Sequence, residues 1–146
     1  MAKFHFQLEP VLQHRAAKEV SAEQALAVAH HEYNRRLALL ENTRQRLEAA
    51  FEVEEADVDV LGVEYLSFYR ASLSKKISVQ ENDVSNAGLV VENKRHAAVQ
   101  ARQERQVIET LKDKHLMNYK RETAAREQKE VDELALYAHQ RQEKQI

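Results

Sequence analysis

The amino-acid sequence predicts an all-α protein in which two long helices form an antiparallel coiled-coil hairpin, the second helix being longer than the first. Three observations support this prediction. Ala, Glu, Lys, Leu and Arg supply 76 of the 146 residues, whereas there are only 2 Gly and 1 Pro, a composition typical of long helices. Apolar residues recur every seven residues in both halves of the chain, and one acidic segment separates the halves.

The first helix is expected over residues 9–52. Pro10 is compatible with its first turn, because the backbone N–H groups there have no helical partner in any case. A repeat of seven residues, interrupted by Glu19, indicates left-handed supercoiling against a partner helix. The residues of this repeat are Leu12, Leu26, Tyr33, Leu40 and Leu47.

The turn between the helices is expected over residues 53–62. Residues 52–64 contain six acids and no base. The valines, aspartates and Gly62 in this stretch are poorer helix formers than the residues that flank it. The composition therefore favours a solvent-exposed turn, and an acidic stretch inside one continuous helix is the alternative.

The second helix is expected over residues 63–138. A step of four residues between Leu73 and Ile77 interrupts its seven-residue repeat, and such a stutter locally unwinds a coiled coil. The repeat then continues for three further steps. Its residues are Ile77, Val84, Val91 and Ala98.

One register aligns the two repeats, because facing residues in an antiparallel hairpin have numbers that add up to a constant, here 117. The same constant places the turn near residues 58 and 59, inside the acidic segment. Residues 1–146 are therefore expected to form a single helical-hairpin domain, with a parallel homodimer as the alternative. The predicted pairs are Leu40 with Ile77, Tyr33 with Val84, and Leu26 with Val91.

This register predicts that the second helix extends about 30 residues beyond the first. The N-terminal end of the first helix would lie near Leu8, and in this register Leu8 faces residue 109. The extension carries apolar residues that nothing else in the chain would cover, and such a surface usually belongs to an interface with another molecule. These residues are Leu111, Leu116, Tyr119, Val131, Leu134, Leu136 and Tyr137.

Composition and charge argue against several function classes. The chain has no Cys, and His30 and His31 point about 100° apart on a helix, so no metal or other cofactor is expected. The net charge is −2 and the basic clusters are short, which argues against nucleic-acid binding. Two helices offer no pocket for acid–base catalysis, so neither an enzyme nor a small-molecule substrate is expected. No apolar run is long enough to span a membrane, and the absence of Cys fits a cytosolic compartment.

Two stretches of the chain carry a family resemblance. The first is Phe4-His5-Phe6-Gln7-Leu8-Glu9-Pro10-Val11-Leu12, followed by Arg15. The second comprises Leu111-Lys112, Tyr119, Glu122 and Glu127-Gln128-Lys129-Glu130-Val131-Asp132-Glu133. Both resemble the corresponding ends of the FliJ family of bacterial flagellar export proteins.

The resemblance implies a non-enzymatic adaptor or stalk of the flagellar type III export apparatus, acting in motility at the cytoplasmic face of the inner membrane. The implied partners are the hexameric flagellar export ATPase, the cytoplasmic domain of the membrane export gate, and export chaperones. Two alternatives remain at this point. One is a stalk protein of a virulence type III secretion system, and the other is a self-associating structural coiled-coil protein.

Two partner-binding sites are expected. The extension from about Leu111 to Tyr137 is uncovered and carries the second family motif, so we expect it to bind the ATPase ring. The residues expected to contact the ATPase are Leu111, Leu116, Tyr119, Arg126, Glu127, Val131, Asp132 and Leu134.

The second expected site lies just after the turn, in the region that resembles the gate-binding surface of the family. It comprises Tyr65, Phe68, Tyr69 and Leu73. Phe68 and Tyr69 point about 100° apart on a helix. At least one of the three rings is therefore expected to be exposed.

Overall fold

The computed structural model describes residues 3–145, and these residues form two α-helices joined by a short 3₁₀ turn. Helix α1 spans Glu9–Glu52 and helix α2 spans Val60–Lys144, with the 3₁₀ turn at Glu55–Asp57 between them. No β-strand occurs in the described range. The prediction of an all-α hairpin whose second helix is the longer one is confirmed.

Helix α2 begins at Val60, three residues before the predicted start, because Asp59 caps it. The Asp59 carboxylate accepts a hydrogen bond from the backbone N–H of Gly62 at 2.8 Å, and side-chain caps of this kind stabilise helix starts. A Cβ added at Gly62 would lie 2.8 Å from Asp59 Oδ1. Glycine therefore permits the close approach of the capping carboxylate. The helix also continues past residue 138, through residues that include no Gly or Pro.

Arg70 of α2 binds the C-terminal end of α1. Its guanidinium donates to the Ala50 carbonyl from Nε at 3.0 Å and from Nη2 at 2.8 Å, and Nη2 also donates to the Val53 carbonyl at 3.1 Å. The same group lies 4.9 Å from the centre of the Phe51 ring. The last carbonyls of a helix have no partner inside it, so Arg70 satisfies two groups that the turn would otherwise leave to solvent.

The chain divides into two compact units, each of which contains part of both helices. One unit comprises residues 18–101. The other comprises residues 1–17 together with 102–146, of which 3–17 and 102–145 are described. The expectation of a single domain stays a prediction.

The core of the 18–101 unit is narrow and rich in small side chains. Its predicted seam residues are buried or half-buried, as expected for the contact between two helices, and Tyr33 is one of them. A Cβ added at Gly88 would lie 3.6 Å from Cε2 of Tyr33, so these two residues face each other. The buried residues are Glu19, Ala29, Leu40, Thr43, Ala50, Leu73, Ala87, Ala98 and Ala101.

Polar contacts between the helices give slightly larger residue sums than the predicted register. Arg36 Nη1 donates to the Asp83 carbonyl at 3.3 Å, and these numbers add up to 119 rather than 117. A helical side chain leans toward the N-terminus of its own helix by about one residue, which raises the sum for side-chain contacts in an antiparallel pair. The pairing of Leu40 with Ile77 stays a prediction, as do the other two pairs of the predicted register.

Candidate partner-binding surfaces

The N-terminal segment, residues 3–8, lies against α2 within the second unit. The Phe6 side chain is only 4% exposed, and its ring meets the His115 ring edge-on at a centroid distance of 5.6 Å. Phe4 meets the Tyr119 ring at 5.4 Å. The carboxylate of Glu9, at the start of α1, pairs with the Lys112 ammonium at 2.8 Å. We call residues 3–8 the N-terminal strap.

This strap corrects the prediction that Leu111, Leu116 and Tyr119 are uncovered. All three are half-buried. The prediction assumed that α2 is covered only where α1 lies beside it. An extended chain, however, advances about 3.3 Å per residue, compared with 1.5 Å in a helix. From Phe6 to Phe4 the strap advances two residues, while its contacts on α2 advance four, from His115 to Tyr119. Phe4 and Phe6 provide the only signal in the sequence, as two aromatic residues placed just before a helix.

The uncovered part of α2 begins after the strap. Every described residue from 124 to 145 is exposed, and we call residues 120–145 the terminal helix segment. Five of the residues predicted to contact the ATPase lie in it and are exposed, as expected for a helix without a neighbour. They are Arg126, Glu127, Val131, Asp132 and Leu134.

The terminal helix segment has a surface suited to packing against another helix. Met117, Ala124, Val131 and Ala138 recur at seven-residue spacing, and Leu134 beside them is 68% exposed. An apolar stripe of this period is typical of a coiled-coil contact. Polar residues flank the stripe, and the Gln128 side-chain amide donates to the Asp132 carboxylate at 2.9 Å.

A second exposed apolar surface lies at the start of α2. It comprises Val60, Leu61, Tyr65 and Phe68, which are 72–80% exposed, and we call it the tip surface. Leu61, Tyr65 and Phe68 lie on one face of α2, because they are spaced by four and then three residues. Val60 and Leu61 escaped the sequence prediction, although two adjacent apolar residues in an acidic segment are an available signal.

The four residues predicted to bind the export gate differ in their exposure to solvent. Tyr65 and Phe68 are exposed, which confirms that at least one ring is free. Tyr69 is half-buried, and its ring is parallel to that of Tyr65 at a centroid distance of 6.4 Å. Leu73 is only 5% exposed, so it supports this region from the core and contributes no surface for a partner.

Acidic side chains surround the tip surface. Residues 47–69 contain seven acids and no base, and all seven acids are exposed. Asp59 caps α2, and Glu55 lies 3.5 Å from Arg70. The side-chain carboxylates of the other five make no ion pair or hydrogen bond within the described part of the chain. These are Glu48, Glu52, Glu54, Asp57 and Glu64.

Several acids elsewhere on the helices are paired locally with arginine. Arg35 donates two hydrogen bonds to the Glu32 carboxylate, at 2.8 and 3.0 Å, and Arg36 donates a third at 2.9 Å. These bonds lower the pKa of Glu32 to about 2, and those from Arg35 have the largest effect. The Arg95 guanidinium, which lies 2.6 Å from Glu92, likewise lowers the pKa of that carboxyl. The unpaired acids around the tip surface differ from this pattern.

The described residues contain neither a metal-binding cluster nor a membrane-spanning helix. No group of three or more His, Asp and Glu side chains there could hold a metal ion. No helix in the same range has an apolar stretch long enough to cross a lipid bilayer.

Comparison with known proteins gives one match. A family model described as "Flagellar FliJ protein" matches residues 4–144. No curated protein and no solved structure matches the chain significantly. The matched range contains both sequence motifs, the N-terminal strap from Phe4 onward, the tip surface and nearly all of the terminal helix segment.

Proposed function

Because the chain belongs to the FliJ family of flagellar proteins, we propose that this coiled-coil protein is a non-enzymatic adaptor or stalk of the flagellar type III export apparatus. In this proposal it binds the hexameric export ATPase and the cytoplasmic domain of the membrane export gate. It aids the delivery of chaperones with their export substrates, and it acts at the cytoplasmic face of the inner membrane. The family match over residues 4–144 carries the proposal.

We assign ATPase binding to the terminal helix segment. A single helix without tertiary contacts is marginally stable in water, because most helical stability in proteins comes from packing of an apolar face. The stripe that includes Val131 and Leu134 has no packing partner among the described residues. A groove in the ATPase ring would supply one, and Arg126, Glu127 and Asp132 would pair with charges around it.

In this assignment the residues beneath the strap have a supporting role. Leu111, Leu116 and Tyr119 are half-buried, so they offer less surface to a partner than the prediction assumed. The contact of Tyr119 with Phe4 fixes the point at which the terminal helix segment begins. The ATPase contact then starts after Tyr119.

Substitution on the apolar stripe tests the ATPase assignment. Val131→Ala combined with Leu134→Ala should weaken ATPase binding by at least tenfold, because exposed aliphatic residues that become buried contribute about 1–2 kcal/mol each. Binding is measured by titration calorimetry with the purified ATPase. Leu89→Ala combined with Val99→Ala is the matched control, because it removes equally exposed apolar residues from another part of α2. Equal affinities for both variants would reject the assignment.

We assign export-gate binding to the tip surface. Tyr65 and Phe68 are rigid aromatic side chains with most of their area exposed, and such side chains are frequent anchors at protein interfaces. In this assignment Tyr69 supports Tyr65 by stacking against it, and Leu73 supports the region from the core.

Self-association is a second candidate function, favoured by the seven-residue apolar stripe on the terminal helix segment. Two copies of this stripe could form a coiled coil with each other. Sedimentation of the purified protein distinguishes the two functions. A monomer that forms a complex with the ATPase supports the adaptor, whereas a dimer that the Val131→Ala and Leu134→Ala changes dissociate supports self-association.

A further inference from the structure

The strongest charge asymmetry in the chain coincides with its most exposed aromatic side chains. Residues 47–69 carry seven acids and no base, so the remaining 22 bases and 17 acids give the rest of the chain a net charge of +5. Arg70, at the border of this segment, has a 16% exposed side chain and donates to the Ala50 carbonyl of α1 and to the Val53 carbonyl just after it. Its charge is therefore directed into the turn rather than toward a partner.

The acids and the apolar residues are interleaved on the same surface. Glu64 lies one helical turn after Val60 and one turn before Phe68, so its carboxylate borders the apolar face. Asp57 and Glu54 precede this face in the turn. An apolar centre with a polar rim is the usual anatomy of a protein interface, and here every charge of the rim is negative.

We propose that the tip surface docks into a groove of the export gate that has an apolar floor and a rim of Lys and Arg side chains. This inference rests on the proposed gate-binding function and adds the chemistry of the partner surface. Five carboxylates without a partner lose hydration on docking, and opposite charges across the interface offset that cost. A negative field also speeds the encounter with a basic surface and disfavours acidic surfaces and nucleic acid.

A second copy of this chain is the competing occupant. Its residues 112–129 contain six bases and three acids, but Lys112 is already paired with Glu9. The other bases alternate with acids along one helix, so they do not form a continuous basic rim. The partner groove therefore fits the tip surface better than a second copy does.

The test is a titration of the full chain into the purified cytoplasmic domain of the export gate, at about 50 mM and about 300 mM salt. Glu54→Gln, Asp57→Asn and Glu64→Gln together should weaken binding about tenfold at low salt, and the difference should shrink at high salt. The control combines Glu41→Gln, Asp113→Asn and Glu130→Gln, which removes the same charge from exposed positions elsewhere. Phe68→Ala should weaken binding at both salt concentrations.

Three outcomes would overturn the inference, and each rejects a different part of the proposal. Equal affinities for the two triple variants would reject a basic groove while preserving gate binding. The absence of binding by the unmodified chain would reject both the groove and the proposed gate-binding function. A dimer of the chain alone, dissociated by the tip substitutions but not by the control set, would identify a second copy as the occupant.

Discussion

At the scale of single residues, Arg70 determines how firmly the turn is held. Three hydrogen bonds from its guanidinium reach the Ala50 and Val53 carbonyls. Replacing it by alanine removes a charged donor from two acceptors and uncovers the Phe51 ring. We expect Arg70→Ala to lower the free energy of unfolding by about 1.5–3 kcal/mol, the range for hydrogen bonds to charged groups.

Urea denaturation followed by circular dichroism measures this effect. Arg70→Lys should recover little of the loss, because an ammonium group cannot reproduce the planar fork of the guanidinium. Arg46→Ala is the control, since Arg46 is exposed on α1. Equal unfolding midpoints for Arg70→Ala and Arg46→Ala would show that the hydrogen bonds contribute nothing to stability.

Glu32 gives a prediction about pH. Hydrogen bonds from Arg35 and Arg36 lower its pKa from 4.5 to about 2. A carboxyl whose pKa is lower in the folded state stabilises that state above pH 4.5, and this contribution is lost as the pH falls from 4.5 toward 2. We expect Glu32→Gln to remove this part of the acid sensitivity.

The measurement is the urea midpoint of the protein and of Glu32→Gln at neutral pH and at about pH 3. The substitution should lower stability at neutral pH, and the difference between the two proteins should be smaller at about pH 3. Glu41→Gln serves as the control because Glu41 is an exposed glutamate on the same helix. A constant difference between Glu32→Gln and the unmodified protein at all pH values would contradict the prediction.

At the scale of structural elements, the N-terminal strap is the feature whose removal should have the most local effect. Phe6 is buried against His115, and truncating a buried Phe costs about 3–5 kcal/mol in a core. The other aromatic contact of the strap is that of Phe4 with Tyr119, and Phe6→Ala should release the strap rather than unfold both helices. Hydrogen exchange should then accelerate in residues 110–120 and remain unchanged in residues 60–73.

His5→Ala is the matched control for the strap, because His5 is an exposed neighbour in the same segment. It should leave exchange in residues 110–120 unchanged. Equal acceleration by both substitutions would indicate that the backbone of the strap, rather than the Phe6 ring, protects α2. Acceleration throughout both helices would indicate that the strap is part of a single cooperative core.

The helices were predictable from the sequence because their signals are local and periodic. Seven-residue spacing and the scarcity of Gly and Pro identified α1 and α2, and the acidic segment identified the turn. The start of α2 was misplaced because one capping contact, from Asp59 to Gly62, extends the helix into that segment. Exposure of a ring at the tip followed from helix geometry alone.

The strap was not predictable in the same way. Phe4 and Phe6 lie in a segment too short to show a period, and their contacts with Tyr119 and His115 join residues more than 100 positions apart. The covered part of α2 therefore depends on the path of an extended chain, which hydrophobic spacing does not encode. For this reason the candidate ATPase surface begins at residue 120 rather than at the predicted residue 111.

At the scale of the whole molecule, the proposed function uses two surfaces that lie in different compact units. The tip surface belongs to the 18–101 unit, and the terminal helix segment belongs to the other unit. The two surfaces share no residue, and they differ in charge: the tip is surrounded by acids, whereas the terminal helix segment contains six bases and six acids. An adaptor with separate surfaces of this kind should bind two partners independently.

The most direct measurement of this central claim is a titration of the gate domain into the preformed complex of the chain with the export ATPase. If the two surfaces act separately, the gate domain should bind the complex with a Kd within about twofold of its Kd for the free chain. Sedimentation of the mixture should then detect all three proteins together. Displacement of the ATPase by the gate domain would show that both partners use one surface, and it would contradict the account.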